Sequence, residues 1–293
     1  MNKKKSILIF TGVLVTVVLL IALITAFGSG GGFKKSVSGM EFKMVMNKAK
    51  EKAQDGQLMV AYITYKTEKD SVVFTTYSTP KKSTVFPVGK PKNVGDMNEA
   101  FLMLGSKDSA IFRLPSDSIF KGNDKRPAFA GKGTYIVVGI RVDTVVSSDD
   151  YTKMQMQLAE KQKTTDDDLI KKYIADNNLK AERTADGLYY VIDKNGTGNN
   201  AKAGTEVSVL YKGMLIDGTE FDSSEKNGGK PFKVKIGTHS VIQGWDEGLT
   251  YFNKGASGIL LIPSGMAYGP KEYPGRIPAN SVLVFQIQVL DIK

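Results

Sequence analysis

An internal repeat restricts the fold of this chain more than any other feature of its sequence. The segment that begins at Gly39 is similar to the segment that begins at Gly187, an offset of 187 − 39 = 148 residues. The same offset aligns glycines, prolines and apolar positions further along: Gly56 with Gly204, Val88-Gly89 with Ile236-Gly237, Ile111 with Ile259, and Pro115-Ser116 with Pro263-Ser264. Two further pairs align at 147: Phe74 with Phe221 and Pro127 with Pro274. With small gaps, this pattern indicates a tandem duplication of one domain, with a degenerate first copy.

The second copy shows the alternation of apolar and polar residues that is typical of half-buried strands. Residues 188–192, 206–215, 231–237 and 282–290 follow this pattern, and turn residues such as Asp217-Gly218 separate some of them. One short helix is predicted, from about residue 241 to residue 251. The sequence therefore predicts an α+β domain in which an antiparallel sheet wraps a single helix.

Composition limits the classes of function that are open to the chain. A chain of 293 residues can form two modest domains, each with its own core. The net charge of +10 is spread over the chain without an Arg-rich run, which disfavours nucleic acid and favours a solvated surface attracted to anionic lipid. The absence of cysteine excludes thiol nucleophiles and disulfides. The single histidine, His239, excludes a multi-histidine metal site and is predicted to be a loop residue.

The N-terminus carries a candidate membrane anchor. Three lysines, Lys3 to Lys5, precede an unbroken apolar run over residues 7–27, close to the roughly 20 residues that cross a bilayer as a helix. A cleaved signal peptide is the alternative, but the apolar core is long for one and the exit at residues 24–28 is a poor cleavage site. The lysines favour a cytoplasmic N-terminus with the remainder outside the cytoplasm. Residues 28–38 are predicted to form a flexible spacer.

Residues 148–180 have a helical pattern and are predicted to link the two copies. Tyr151, Met154 and Leu158 form one apolar stripe, and Thr165-Asp166 is predicted to cap a second helix that ends at Asn177-Asn178. The stripe is expected to pack against a neighbouring domain. A substrate-handling arm, using the adaptable surface of methionine, is the alternative.

The second copy resembles the FKBP-type peptidyl-prolyl cis-trans isomerases over roughly residues 180–293. The resemblance rests on six separated motifs: residues 206–215, 220–224, 231–237, 241–249, 263–269 and 282–290. Together with the internal repeat and the apolar N-terminal run, it implies two FKBP-like domains, each a curved antiparallel β-sheet wrapping a short helix, after an N-terminal transmembrane helix. The expected organisation is an anchor at 1–27, a spacer at 28–38, a degenerate domain at 39–147, a helical linker at 148–180 and an isomerase domain at 181–293.

The same resemblance implies a site for an Xaa-Pro bond in the second domain. Its catalytic residues would be Asp222, Tyr268, Trp245 and Phe285. Its substrate-binding residues would be Tyr211, Phe221, Phe232, Val241, Ile242, Tyr273 and Ile277. Trp245 would be the floor under the proline ring, Asp222 would point toward the substrate amide, and the Tyr268 hydroxyl and the Ile242 N–H would donate to substrate carbonyls. The alternatives are a core tryptophan, a turn-capping aspartate and a solvated loop tyrosine.

Rotation about a peptide bond needs no nucleophile, metal or cofactor. Its barrier of about 18–20 kcal/mol arises from amide resonance, and no bond is made or broken when the amide twists. The planar amide carries more charge separation than the twisted amide. A dry, aromatic-walled pocket therefore favours the twisted form, provided that a few polar groups hold the ends of the substrate.

The sequence also departs from the family pattern. Tyr273 stands where many members have histidine, Met266 replaces a common aromatic residue, and Arg276 takes a position that is usually apolar. These changes should alter the preference for the residue before proline, and they count against tight macrolide binding. In the first copy, Met97, Phe120, Thr75, Thr84 and Val138 are expected opposite Trp245, Tyr268, Asp222, Phe232 and Phe285. The first domain is therefore predicted to be non-catalytic and to bind substrate, form a dimer or act as a spacer.

The expected function is a membrane-anchored isomerase on the periplasmic side that speeds the folding of exported proteins. Its partners would be unfolded proline-containing polypeptides and the membrane, with FKBP-binding macrolides and a second copy of the chain as further candidates. No cofactor, metal or nucleic acid is expected. Two alternatives remain: a non-catalytic holding chaperone that uses FKBP folds as binding surfaces, and a surface tether held by basic charge.

Overall fold

A computed structural model describes residues 32–77, 83–93, 95–120 and 126–293. The predicted span at 7–27 lies outside these described residues, as do residues 28–31 of the predicted spacer. The prediction of a flexible spacer over 28–38 is wrong for Lys34–Lys35, which pair with Glu41 and Phe42 in the sheet of the first unit. Within the described ranges, no helix combines the length and the apolarity that crossing a membrane requires. The described residues form two compact units, divided between Tyr151 and Thr152.

The first unit is built on a seven-stranded antiparallel sheet with the order β1-β2-β6-β7-β3-β4, in which β5 also pairs with β3. Its strands are β1 Lys34–Lys35, β2 Glu41–Met46, β3 Leu58–Thr67, β4 Val72–Thr75, β5 Thr84–Pro87, β6 Ser109–Pro115 and β7 Tyr135–Val146. Its described helices are α1 Met97–Leu102 and α2 Ser116–Ile119. Buried residues of α1, such as Phe101, join the core formed by Phe112 of β6 and Val138 of β7.

The second unit has a seven-stranded antiparallel sheet with the order β8-β9-β15-β16-β11-β12, in which β13 also pairs with β11. Its strands are β8 Glu182–Arg183, β9 Tyr189–Lys194, β10 Thr197–Asn200, β11 Glu206–Leu215, β12 Glu220–Ser223, β13 Phe232–Lys235, β14 Asn253–Lys254, β15 Ser257–Ile262 and β16 Leu283–Ile292. Strands β10 and β14 form a separate pair. Helix α4, Gln243–Gly248, continues as a 3₁₀ turn at Leu249–Tyr251, and a second 3₁₀ turn covers Ser264–Met266. Trp245 and Leu249 pack into the core between helix and sheet, as the single predicted helix requires.

The two sheets have the same strand order, as expected for a duplication. Their hairpins also share a register: Tyr65 pairs with Phe74 as Gly213 pairs with Asp222. Both differences, 213 − 65 and 222 − 74, equal 148. The sequence alignment at 147, which placed Thr75 opposite Asp222 and Phe74 opposite Phe221, is therefore wrong in this hairpin. It matched two aromatic side chains, whereas the strand pairing and its bulge are the same in both copies.

Helix α3, Ser148–Asp176, is one continuous helix rather than the two that the sequence predicts. The Thr164 and Thr165 hydroxyls each donate to the carbonyl four residues earlier, at 3.2 and 3.0 Å, so the threonines stay helical instead of starting a new helix. The N-terminal cap is Ser147, whose Oγ accepts from the Asp150 N–H at 3.1 Å. The helix ends where Asn178 adopts φ +52°, close to the predicted end.

Only the C-terminal half of α3 packs against the second unit's sheet. Ile170 is fully buried with Leu261 and Val284, and Tyr173 and Ile174 cover the same cluster. Leu158, one of the residues expected to pack, is exposed, as is Met156.

Candidate functional site

Trp245 lies at the centre of a cluster of aromatic rings in the second unit. Its ring centroid is 5.3 Å from Tyr211, 5.2 Å from Phe285 and 5.8 Å from Phe232. All three contacts are edge-to-face, with interplanar angles of 82°, 81° and 77°. The Trp245 side chain is 4% exposed, and its buried Nε1–H has no hydrogen-bond partner among the described residues. The sequence-predicted floor residue is therefore enclosed by three of the predicted wall residues.

Strand pairing brings these rings together. Tyr211 is on β11, which pairs with both β13 and β16. Gly213 of β11 pairs directly with Phe285 of β16. A Cβ at Gly213 would lie 2.8 Å from Phe285 Cε1 and 2.8 Å from Phe221 Cζ. The absence of a side chain at Gly213 allows Phe221 and Phe285 to meet at 5.6 Å with an interplanar angle of 85°.

The Asp222 carboxylate is held at the edge of the aromatic cluster by three donors. The Tyr211 hydroxyl donates to Oδ2 at 2.8 Å, Asn227 Nδ2 donates to Oδ1 at 3.0 Å, and the Ser223 N–H donates to Oδ1 at 3.0 Å. These donors fix the orientation of the carboxylate. Burial and the hydrogen bond to Asp222 raise the pKa of Tyr211 to about 12, so its hydroxyl remains a donor at neutral pH.

Asn227 is a site residue that sequence reasoning missed. Its amide donates to Asp222 Oδ1 and to the Tyr211 hydroxyl, at 3.0 and 3.2 Å, and also to the Ser223 carbonyl at 3.0 Å. The available signal was an Asn-Gly pair five residues after the predicted Asp222, in a turn-rich stretch. Asparagine before glycine is common in ordinary turns, which hides its contact with the carboxylate.

Tyr268 and Tyr273 form a more exposed rim. Their side chains are 40% and 51% exposed, and their ring centroids are 5.9 Å apart. Burial raises the pKa of Tyr268 above its usual value, with smaller contributions from Tyr273 and Asp222. Tyr273 exchanges backbone hydrogen bonds with Ile277, which is buried in the domain core. Both Tyr268 and the nearby Asp222 thus present polar groups beside an apolar enclosure.

Val241 and Ile242 lie just before α4 and are half-buried against the same core. The Ile242 carbonyl accepts from the Trp245 N–H at 2.9 Å, which joins this segment to the helix. The preceding loop is held by Asp246, whose carboxylate accepts from the N–H groups of Gly237 and His239, each at 2.8 Å. His239 is an exposed loop residue, as predicted.

The corresponding positions of the first unit lack the polar groups. Ile63 occupies the position of Tyr211, because each exchanges two hydrogen bonds with a hydroxyl residue 13 positions later, Thr76 and Ser224 respectively. In each pair, the backbone N–H of the first residue donates to the side-chain hydroxyl, and its carbonyl accepts from the backbone N–H of the hydroxyl residue. Phe74 replaces Asp222, which corrects the expectation of Thr75. The first unit therefore retains apolar groups where the second unit holds its carboxylate and the supporting phenol.

Other features of the described residues lie apart from this cluster. A cleft of about 460 Å³ is lined by residues that include Asp186, Glu247 and Tyr251 and by none of the predicted site residues. No group of three or more His, Asp and Glu side chains within the described ranges is arranged to hold a metal ion.

Comparison with known proteins gives a consistent set of relatives. A family model described as FKBP-type peptidyl-prolyl cis-trans isomerase matches residues 198–290. FkpA of Buchnera aphidicola subsp. Schizaphis graminum, described as an FKBP-type peptidyl-prolyl cis-trans isomerase, is 49% identical over 112 residues, 38% of this chain and 43% of that protein. FkpA of Escherichia coli K12 is 42% identical over 122 residues, 42% of this chain and 43% of that protein. FK506-binding protein 1 of Dictyostelium discoideum is 40% identical over 107 residues, 36% of this chain and 99% of that protein.

The matches cover only part of several of these proteins. The chain spans 43%, 56% and 63% of the length of three Buchnera FkpA proteins. The FK506-binding protein from Dictyostelium is instead matched along almost its entire length.

Proposed function

Because this chain belongs to the FKBP-type peptidyl-prolyl cis-trans isomerase family, we propose that its second unit catalyses the cis–trans isomerisation of Xaa-Pro bonds. One observation carries the proposal: a carboxylate, Asp222, is held by Tyr211 and Asn227 at the edge of the aromatic cluster around Trp245. This arrangement places one oriented charge beside an apolar enclosure.

The proposed mechanism uses the electrostatic difference between planar and twisted amides. Uncatalysed rotation takes tens to hundreds of seconds. The twisted amide has lost its resonance and carries less charge separation, so the apolar walls stabilise it relative to the planar amide. The proline ring would rest on Trp245, and the Tyr268 hydroxyl would donate to a substrate carbonyl.

Asp222 would orient the reacting amide and interact with its dipole as the bond twists. The carboxylate has donors on both oxygens, so it keeps one orientation without help from the substrate. Preorganised polar groups of this kind contribute to a reaction without rearranging during it. No proton transfer or covalent intermediate enters the proposed reaction.

We propose further that the protein acts at a membrane on exported, proline-containing polypeptides. The support is the lysine-flanked apolar run at residues 7–27, which is long enough to span a bilayer. Macrolides that bind the FKBP fold would compete for the same aromatic cluster. Self-association of the chain is a further part of this proposal.

A second candidate function is the holding of unfolded chains by the first unit. This unit exposes Val72, Val73 and Phe74 on β4, which lies at the edge of its sheet. The Phe74 side chain is 54% exposed and its ring lies 5.8 Å from Tyr65. Exposed apolar residues on an edge strand suit the capture of extended apolar segments.

The deciding experiment measures the isomerisation of a short Xaa-Pro peptide with residues 33–293. The parent is compared with Asp222→Ala and Trp245→Ala, and with Glu225→Ala as an exposed control in the same loop. Acceleration by the parent and the control, with large losses in the two site variants, would support the isomerase. A folded parent without acceleration would leave the holding function as the better proposal.

A further inference from the structure

Asp166 is a buried carboxylate on α3 that binds the loop carrying Tyr268. Asp166 is 1% exposed. Oδ2 accepts from both the Ser264 N–H, at 2.8 Å, and the Ser264 hydroxyl, at 2.6 Å. Oδ1 accepts from Gln162 Nε2 at 2.7 Å. Removing the carboxylate would leave both Ser264 donors without their partner in a buried place, which proteins rarely tolerate without rearrangement.

Ser264 in turn holds both chain neighbours of Tyr268. Its carbonyl accepts from the Ala267 N–H at 3.0 Å and from the Gly269 N–H at 2.9 Å. The Gly269 carbonyl accepts from the Asn280 N–H at 2.7 Å, which closes the loop on its other side. A continuous path of hydrogen bonds therefore runs from Asp166 through Ser264 to the backbone on either side of Tyr268.

Helix α3 is itself fixed to the second unit's sheet at this point. Ile170, one turn after Asp166, is fully buried. The neighbouring Asp167 accepts from the Tyr189 hydroxyl at 2.8 Å and from Arg183 Nε at 3.1 Å. Asp166 therefore projects from a part of α3 that is packed against the sheet of the second unit.

Within the described residues of the first unit, the serine that corresponds to Ser264 has different hydrogen-bond partners. Ser116 is the counterpart of Ser264 at the offset 264 − 116 = 148. Its N–H donates to the Thr134 carbonyl at 2.9 Å and its hydroxyl lies 2.9 Å from Thr134 Oγ1. In the described parts of the chain, a hydrogen bond from this serine to a carboxylate on a helix is found in the unit that holds Tyr268. Asp166 also lies outside residues 198–290, which the family model matches.

We propose that Asp166 is a positioning residue for the isomerisation reaction, acting through Ser264 on the placement of the Tyr268 hydroxyl. The inference rests on the proposed function of the second unit. It assigns to α3 a role in the reaction, since the helix holds the loop that presents the phenol to the substrate.

The test is a set of variants in the full-length chain, assayed for kcat/KM on an Xaa-Pro peptide in two backgrounds. Asp166→Ala and Ser264→Ala are made in the parent and in Tyr268→Phe. In the parent, Asp166→Ala should lower kcat/KM about tenfold, less than the roughly hundredfold that a misplacement of about 1 Å can cost, because the other contacts of the loop remain. In Tyr268→Phe, it should cause no further loss, because the group that it positions is already absent. Asp166→Asn, which keeps an acceptor oxygen for Ser264, should retain most of the activity.

Asp168→Asn is the matched control, since Asp168 is exposed on the same helix and the change removes the same charge. Thermal unfolding of every variant separates loss of fold from loss of position. A purely structural role would lower activity and stability equally in both backgrounds and would overturn the inference, as would full activity in Asp166→Ala.

A second readout does not depend on turnover. The ring signals of Tyr268 in tyrosine-labelled protein, assigned with Tyr268→Phe, should shift in Asp166→Ala and stay unchanged in Asp168→Asn. An inactive parent whose Tyr268 signals shift in Asp166→Ala would refute the isomerase activity but would support the positioning of Tyr268 by Asp166. Tyr268 signals that do not shift in Asp166→Ala would refute the positioning role of Asp166.

Discussion

The Tyr211 hydroxyl donates a 2.8 Å hydrogen bond to Oδ2 of Asp222, so an aromatic wall residue also orients the carboxylate at the edge of the cluster. Tyr211 contributes its ring to the enclosure of Trp245 and its hydroxyl to Asp222. Apolar and polar parts of the candidate site are thus linked through one side chain.

The first prediction concerns Asn227, which donates to Asp222 Oδ1 at 3.0 Å. Asn227→Ala should lower kcat/KM on an Xaa-Pro peptide about tenfold, the lower end of the effect of losing a hydrogen bond to a charged group, because Asn227 is exposed. Glu225→Ala, in the same exposed loop, should have no effect. Equal activity of Asn227→Ala and the parent would show that the Tyr211 and Ser223 donors suffice to hold Asp222.

The second prediction concerns pH. The pKa of Tyr211 is raised to about 12 in the folded protein by burial and by Asp222, whereas an unfolded tyrosine titrates near about 10. Since the folded pKa is the higher one, the stability that this phenol contributes is complete below about pH 10 and is lost as the pH rises toward 12. Denaturant unfolding between these pH values should therefore show a steeper loss of stability in the parent than in Tyr211→Phe.

Tyr190→Phe is a useful comparison for this titration. Its hydrogen bond to Glu182 and its burial raise the pKa of Tyr190 to about 12, but its ring stacks on Tyr251 rather than on Trp245. Tyrosinate absorbance should lose one late-titrating group in either variant, whereas isomerase activity should fall only in Tyr211→Phe. Ionisation of Tyr211 near pH 10 would contradict the prediction.

The third prediction concerns Gly213. An added Cβ would lie 2.8 Å from atoms of both Phe221 and Phe285, so these rings must move apart. Gly213→Ala should destabilise the protein by about 1–3 kcal/mol, as overpacking usually does, and should lower kcat/KM because it opens the aromatic enclosure. In Gly131→Ala, the added Cβ meets Thr134 Cγ2 at an ordinary 3.6 Å, so stability and activity should stay close to those of the parent. Unfolding curves and peptide assays on both variants test this.

The fourth prediction concerns the first unit. Ile63 and Phe74 occupy the positions of Tyr211 and Asp222, so this unit lacks the carboxylate and the phenol of the candidate site. The double variant Asp222→Ala, Tyr268→Phe should therefore remove essentially all isomerase activity from a chain in which the first unit is intact. Substantial residual activity in a variant that also carries Trp245→Ala would locate a second active site in the first unit.

Much of the second unit could be predicted from its sequence because period-two alternation and turn residues are local signals. Strand β11 is observed at the predicted bounds, Glu206–Leu215, and the short helix lies within the predicted segment. The repeat was detectable because glycines and prolines preserve their spacing where backbone conformation requires it. Gly56 and Gly204, for example, both adopt positive φ, at +86° and +91°.

The remaining errors arise from contacts that are distant in sequence. Asp166 has the residue type of a helix cap, yet its partner Ser264 lies 98 positions later and no local pattern reveals it. The counterpart of Asp222 was placed one residue too late, at Thr75, because the sequence aligns Phe74 with Phe221. The pairing of the two strands, which places Phe74 opposite Asp222, is visible only in the structure. Asn227 contacts Asp222 only after the loop between β12 and β13 has folded back.

The enclosure of Trp245 also makes the protein its own spectroscopic reporter. Trp245 is the only tryptophan in the chain, so selectively excited indole fluorescence arises from the floor of the candidate pocket and from nowhere else. Its emission can follow the binding of a proline peptide or a macrolide without any attached dye. A titration of unlabelled protein would then separate ligands that enter the aromatic cluster, and quench or shift this emission, from chains that bind only at the first unit.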